Sequence, residues 1–271
     1  MSYFKYGKIN LYYEERGNLS SEKVVVFFNG VMASTNSWVN QISLFEKLDF
    51  RIVLHDFKGQ LLSDKPSGPY TFSEHAEETK ALLEHLKIDR AHFIGTSYGG
   101  EVALKFAMIY PEMVETIAVI NSVTELDEVL KFFIKGWKAL AEAKDPENFF
   151  YGMLPTIYHN TYIENNLDLI KNRANTFNHL PHDYFTGQIE LYKTFEQDVT
   201  MTDSLHLITC PTMVICGEED ILKPKKFSKI IANNIKNSEY ITIPDCGHVT
   251  IFEKPKELNS ILAGFILKNL L

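Results

Sequence analysis

Short apolar runs alternate with amphipathic ones along most of this chain. Lys8 to Glu15 alternates with a period near two and predicts an early strand. Val24 to Phe28 is a continuous β-branched and aromatic run, the pattern of a strand buried on both faces, and Arg51 to Leu54 reads the same way. Between them Ser37 to Leu48 has helical spacing. Thr71-Phe72-Ser73-Glu74 has the spacing of a capping box, predicting a helix through Leu86 with Ala81, Leu82 and Leu86 on one face. A strand over 91–94, a helix from Glu101 to Ile109 stopped by Pro111, and a strand from Glu115 to Ile120 follow. From Val123 to Leu207 the rhythm breaks into helix-like segments and loops without a convincing strand. It resumes with a strand at Thr212 to Cys216, a helix at Pro224 to Asn234, a strand at Glu239 to Ile243 and a helix at Pro255 to Lys268. Pro224 and Pro255 suit first-turn helix positions.

Strands that alternate with helices imply an α/β fold with a mostly parallel sheet and helices on both faces. The two strands before the first helix are expected to form an antiparallel edge. Residues 1–122 and 208–271 then make one core domain, and 123–207 a helical insertion over the sheet. No internal repeat or low-complexity tract interrupts this plan.

Composition narrows the classes. A chain of 271 residues with 45% hydrophobic and 23% charged residues is an ordinary globular protein. A net charge of −8, with no basic run, argues against a nucleic-acid partner. No apolar stretch is long enough to span a membrane, and the run from Ile261 to Leu271 reads as a terminal helix packed on the core. The start, Met1-Ser2-Tyr3-Phe4-Lys5, has no apolar signal core. With three cysteines, Cys210, Cys216 and Cys246, a reducing, cytoplasmic location is the expectation. Asn18-Leu19-Ser20 matches a glycosylation acceptor, which carries little meaning without a secretory signal.

The chemistry begins at Gly95-Thr96-Ser97-Tyr98-Gly99-Gly100, a serine between glycines in the spacing G-x-S-x-G, with a strand before it and a helix after. Two readings fit the five residues alone: a glycine-rich turn with an incidental serine, or a nucleophile elbow. Serine is a weak nucleophile and needs a base, itself held by a third group. Parallel α/β sheets place ligands at the carboxyl ends of their strands. After the strand ending at Cys216 comes Gly217-Glu218-Glu219-Asp220; after the strand ending at Ile243 comes Pro244-Asp245-Cys246-Gly247-His248. A serine, an acid and a histidine therefore follow successive strands in that order. Glu218 and Glu219 are alternatives to Asp220 as the acid. His55-Asp56 reads as structural, Cys246 as a small buried side chain, and His179-x-x-His182 as no metal site, because Pro181 interrupts the pair. No cofactor or metal site is expected.

These residues resemble the α/β-hydrolase superfamily, and the resemblance spans the chain. Asn29-Gly30-Val31 is similar to its His-Gly oxyanion segment, and Asp56 to Asp64 to its D-x-R-G-x-G-x-S-D loop. Gly217 to Asp220 with Pro224 resembles the acid loop, and Gly247-His248 with Glu253-Lys254-Pro255 the histidine loop. The resemblance implies Ser97 as nucleophile, His248 as general base and Asp220 as its orienter. It also implies an oxyanion hole from the backbone N–H groups of Val31 and Tyr98. The chain departs from the pattern at Asn29, Lys58 and Leu61, where the family has histidine, arginine and glycine; these changes bear on the oxyanion loop and the pocket wall.

Relatives with an insertion at 123–207 use it as a helical cap. Here it is rich in aromatics, and Trp137, Phe133 and Tyr158 are taken as substrate-binding. The implied substrate is a small to medium, mainly apolar ester or lactone. The serine excludes the relatives that use a carboxylate nucleophile, the haloalkane dehalogenases and epoxide hydrolases. Small carboxylesterases and enol-lactonase-like members are the nearest in pattern. Thioesterase, C–C bond hydrolase and acyltransferase chemistry start from the same triad, and some proteins of this fold act as ligand receptors.

Overall fold

The structure is a computed structural model that describes residues 2–270; Met1 and Leu271, the ends of the runs considered above, lie outside the described residues. The chain opens with strands β1 (Ser2–Tyr6), β2 (Ile9–Gly17) and β3 (Val24–Phe28), then helix α1 (Val39–Lys47) and strand β4 (Arg51–His55). Helix α2 (Phe72–His85), strand β5 (Ala91–Thr96), helix α3 (Tyr98–Ile109) and strand β6 (Val114–Ile120) follow. Five helices come next: α4 (Glu128–Ala143), α5 (Pro146–Ile157), α6 (Asn160–Asn165), α7 (Leu167–Phe177) and α8 (Tyr184–Asp198). Strand β7 (Thr212–Gly217), helix α9 (Lys225–Asn234), strand β8 (Ser238–Ile243) and helices α10 (Thr250–Glu253) and α11 (Pro255–Lys268) close the chain.

The eight strands form one sheet in the order β1-β2-β4-β3-β5-β6-β7-β8. From β4 to β8 neighbouring strands are parallel, while β1–β2 and β2–β4 are antiparallel. The expected antiparallel edge is thus built differently. Val24–Phe28 lies inside the sheet, parallel to both neighbours, and the edge partner of β2 is β1. The reason is visible in burial: all five residues of β3 are buried, whereas β1 is almost wholly exposed and carries no apolar run to announce it.

Alternate residues of the strands enter two cores. Val25, Phe27, Ile52 and Leu54 pack with Phe45 of α1 and Leu258, Leu262 and Phe265 of α11. Val24, Val26 and Phe28 face the other way, onto Phe72, Val102 and Phe106 of α2 and α3. The C-terminal helix is therefore a core element, and among the described residues no helix is long and apolar enough to cross a membrane. At the start of α2 the capping box is formed: Glu74 N–H donates to Thr71 Oγ1 at 3.0 Å and Thr71 N–H to Glu74 Oε2 at 2.7 Å. Pro255 opens α11 as a first-turn residue; Pro224 stands one position earlier, as the N-cap of α9.

Candidate active site

Ser97 caps α3 directly after β5, with φ of 53° and ψ of −121°. This is a conformation that a residue with a side chain adopts at a cost of about 1–3 kcal/mol, and the surroundings enforce it. Ser97 N–H donates to Ile120 O at 2.8 Å, and its carbonyl accepts from Gly100 N–H, Glu101 N–H and Ser122 Oγ. The turn is tight enough that a Cβ on Gly95 would collide with the Gly99 carbonyl, and one on Gly99 with the Phe28 carbonyl. The glycine spacing is thus a packing requirement of the strand-to-helix corner.

The structure brings Ser97, His248 and Asp220 into one hydrogen-bonded line. Ser97 Oγ lies 2.9 Å from His248 Nε2, and Asp220 Oδ2 lies 2.8 Å from His248 Nδ1. Asp220 is buried, while Glu218 and Glu219 are exposed, which separates the three acids of that loop. Asp220 Oδ1 accepts from the N–H groups of Leu222 and Lys223 at 2.9 and 2.8 Å. Burial pushes the Asp220 carboxyl up, but the adjoining imidazole and these hydrogen bonds outweigh it and hold the group below its usual range.

Two residues to which the sequence assigned no role of their own, Asn121 and the motif residue Glu253, complete this arrangement. Asn121, in the left-handed region at the end of β6, donates through Nδ2 to Asp220 Oδ2 at 2.6 Å and to Gly247 O at 3.2 Å. It ties the acid loop to the histidine loop. Glu253 accepts from the N–H groups of Gly247, Val249 and His159, so it fastens the histidine loop to the segment after α5. Burial raises its carboxyl, against the lowering effect of those three donors. Asn121 has a signal in the sequence, a polar residue at the carboxyl end of an apolar strand; Glu253 has none beyond its place in the histidine-loop motif.

The Asn29-Gly30-Val31 segment is braced from behind. Gln60 Nε2 and Ala33 N–H both donate to Gly30 O, at 2.8 and 3.0 Å. The Gly30–Val31 peptide is trans, so a carbonyl held on one side turns the Val31 N–H to the other. That N–H makes no hydrogen bond within the described chain, and Tyr98 N–H, at the first position of α3, has no intrahelical partner. Asn29 is fully buried, accepting from Trp38 Nε1 and donating to His55 O and Asp56 Oδ1. Asp56 also accepts from Thr35 and Leu62 N–H, and burial pushes its carboxyl up to about 6. His55 and Asp56 thus stand in the scaffold, as does Lys58, whose ammonium lies 2.8 Å from the buried Glu78.

Cys246 is fully buried, its thiol pushed up to about 12 by burial.

A cavity of about 330 Å³ opens over Ser97 and His248. Its floor comes from Gly30 to Ser34, Thr96, Val249, Ile251 and Phe252, and Leu61 forms part of the wall. Its other side comes from α4, α5, α7 and α8 with the loops after α5 and α7, and includes Trp137, Phe150, Tyr158 and Phe177. Trp137 and Tyr158 thus line the cavity and Phe133 does not. The buried stripe of α4 runs through Leu130, Ile134, Trp137 and Ala141; Phe133 sits on its shoulder, half-buried against the core. Three polar links join the helices to the floor: His248 N–H to Ile157 O, Gln188 Nε2 to Val31 O, and His159 N–H to Glu253.

Residues 23–255 match the family described as alpha/beta hydrolase fold, and the chain belongs to it. It is 32% identical to MGS-M2, an alpha/beta hydrolase enzyme from a Medee basin deep-sea metagenome library, with a TM-score of 0.92 over 98% of this chain and 97% of that one. It is also 26% identical to a putative carbamate hydrolase, RutD, of Yersinia enterocolitica, across 95% of this chain and 92% of that protein. A third relative, 3-oxoadipate enol-lactonase 2 of Acinetobacter baylyi, is 24% identical over 87% of this chain and 85% of its own length.

Proposed function

We propose that this protein is a serine hydrolase that cleaves a carboxylic ester or lactone through an acyl-enzyme on Ser97. The observation that carries the reading is the line Asp220–His248–Ser97 at the base of an apolar cavity. Ser97 Oγ attacks the acyl carbon while His248 Nε2 takes its proton. Asp220 holds the imidazole in the tautomer that accepts there and stabilises the imidazolium that forms. The oxyanion is received by Val31 N–H and Tyr98 N–H, each such donor contributing about 3 kcal/mol to the transition state. His248 then protonates the leaving alcohol, and a water molecule activated by the same imidazole releases the acid.

The helices α4 to α8 serve as a cap in this reading. They exclude bulk water from the acyl-enzyme and offer a mainly apolar surface to a small or medium substrate. A carbamate is a second acyl class, favoured by the likeness to the Yersinia protein over nearly the whole chain. Acyl transfer, thioester or C–C bond cleavage, and slow-turnover ligand reception would use the same residues. Added alcohol acceptors and a panel of thioesters separate the enzymatic readings. Ser97→Ala should abolish turnover of p-nitrophenyl butyrate while leaving the near-ultraviolet spectrum unchanged; turnover retained by that variant contradicts the mechanism.

A further inference from the structure

Arg173, on α7, is the only permanently charged side chain in the lining of the 330 Å³ cavity, and no carboxylate lines it. Its Nη1 donates to Tyr158 Oη at 2.6 Å, and its guanidinium carbon lies 4.3 Å from the centroid of the Phe252 ring. Among the described residues no Asp or Glu is within ion-pairing distance of it. Lys58 and Lys223, which are buried, each have an acid at 2.8 Å, Glu78 and Glu101, whereas the partly buried Arg173 has none. Arg173 therefore stands apart, in a chain whose net charge is −8. Stacking on Phe252 and the bond to Tyr158 fix the plane of the guanidinium and leave most of its N–H groups unused.

A neutral substrate that filled the cavity would strip water from the part of this cation that faces it and offer no anion in return, an unfavourable exchange. A substrate that brought its own anion would complete it. We infer that the acyl substrate carries a carboxylate away from its scissile bond, and that Arg173 receives this carboxylate and selects for it. One guanidinium matches the single charge and the two oxygens of a carboxylate, in the forked geometry that arginine favours. The apolar lining then holds the carbon chain between the two ends.

The inference rests on the acyl-hydrolase reading for the bond that reacts, but not for binding, so binding is measured in the Ser97→Ala background. The probes are monomethyl succinate, adipate and suberate, each against the methyl ester of the unbranched acid with the same number of carbons, by titration calorimetry. At the chain length that spans the cavity, the anionic ester should bind roughly tenfold or more tighter than its neutral counterpart. Arg173→Met should erase that preference, and Arg173→Lys should restore part of it. The same ratio is read as kcat/KM in the protein that retains Ser97. Equal or weaker binding of the anionic esters at all three lengths overturns the inference, as does a preference that survives Arg173→Met. Anionic preference in binding without cleavage of any ester instead overturns the hydrolase reading and leaves the role of Arg173 standing. Cleavage of neutral esters with no anionic preference does the reverse.

Discussion

On the sheet side of the cavity, Ser97, His248 and Asp220 hold one another, and Asn121, Glu253 and Gln60 hold the loops that carry them. The helix side is mainly aromatic and aliphatic, with one guanidinium that lacks an acid. The contrast separates two tasks. Groups that must keep a fixed geometry through a reaction sit at strand ends, saturated with hydrogen bonds. Groups proposed to meet the substrate sit on the helices, where Arg173 has no acid beside it. On the proposed reading the sheet side is generic to acyl chemistry and the helix side sets selectivity.

The comparison is most sharply broken on the sheet side. Asp220→Asn would offer His248 Nδ1 an N–H donor in place of an acceptor and favour the wrong tautomer, so kcat should fall by about four orders of magnitude with the fold intact. A loss of less than tenfold, measured with an activated ester, would detach Asp220 from the reaction. On the helix side the expected effect is smaller and of another kind. Trp137→Leu removes part of an apolar wall, so KM should rise roughly tenfold while kcat stays within a few-fold of its starting value. If kcat fell as far as for Asp220→Asn, the division between the two sides would not hold.

The smallest effect lies in stability and is linked to pH. His92, buried on β5 beside Thr116, has its imidazole pushed down to about 4 by burial and by the charge of Arg90. Its unfolded value is about 6.5, so between those two values the unfolded chain binds the proton and the native one does not. Stability contributed by the neutral ring is complete above pH 6.5 and is lost as the pH falls toward 4. At pH 5 the loss from this residue is about 2 kcal/mol relative to pH 7. His92→Asn should remove that increment from the difference between urea unfolding curves at the two pH values. A difference unchanged by the substitution would assign the acid sensitivity elsewhere.

Much of the architecture was legible because it depends on patterns of adjacent residues. The all-apolar run Val24–Phe28 marks a doubly buried strand, and Thr71 with Glu74 marks a helix start. The serine, the acid and the histidine could be found because they follow strands in order. The early edge was misassigned because β1, exposed along nearly its whole length, has no apolar pattern to read. Asn121 and Gln60 were missed for a different reason: each acts on a residue far away in the chain, and only the fold brings the pair together. Phe133 and Arg173 mark the same limit on the helix side. An aromatic four residues from Trp137 looks like a pocket residue but turns onto the core, and nothing in the sequence says that a lysine- and arginine-bearing helix points a cation into the cavity lining.

The central claim is that Ser97 is the nucleophile of an acyl-enzyme. It is tested most directly by treating the protein with a serine-reactive fluorophosphonate and locating the adduct by peptide mass spectrometry. The account predicts one adduct, on Ser97, formed in step with loss of ester turnover and absent from Ser97→Ala. An adduct on another residue that tracks the loss of activity, or full labelling of Ser97→Ala, would contradict it.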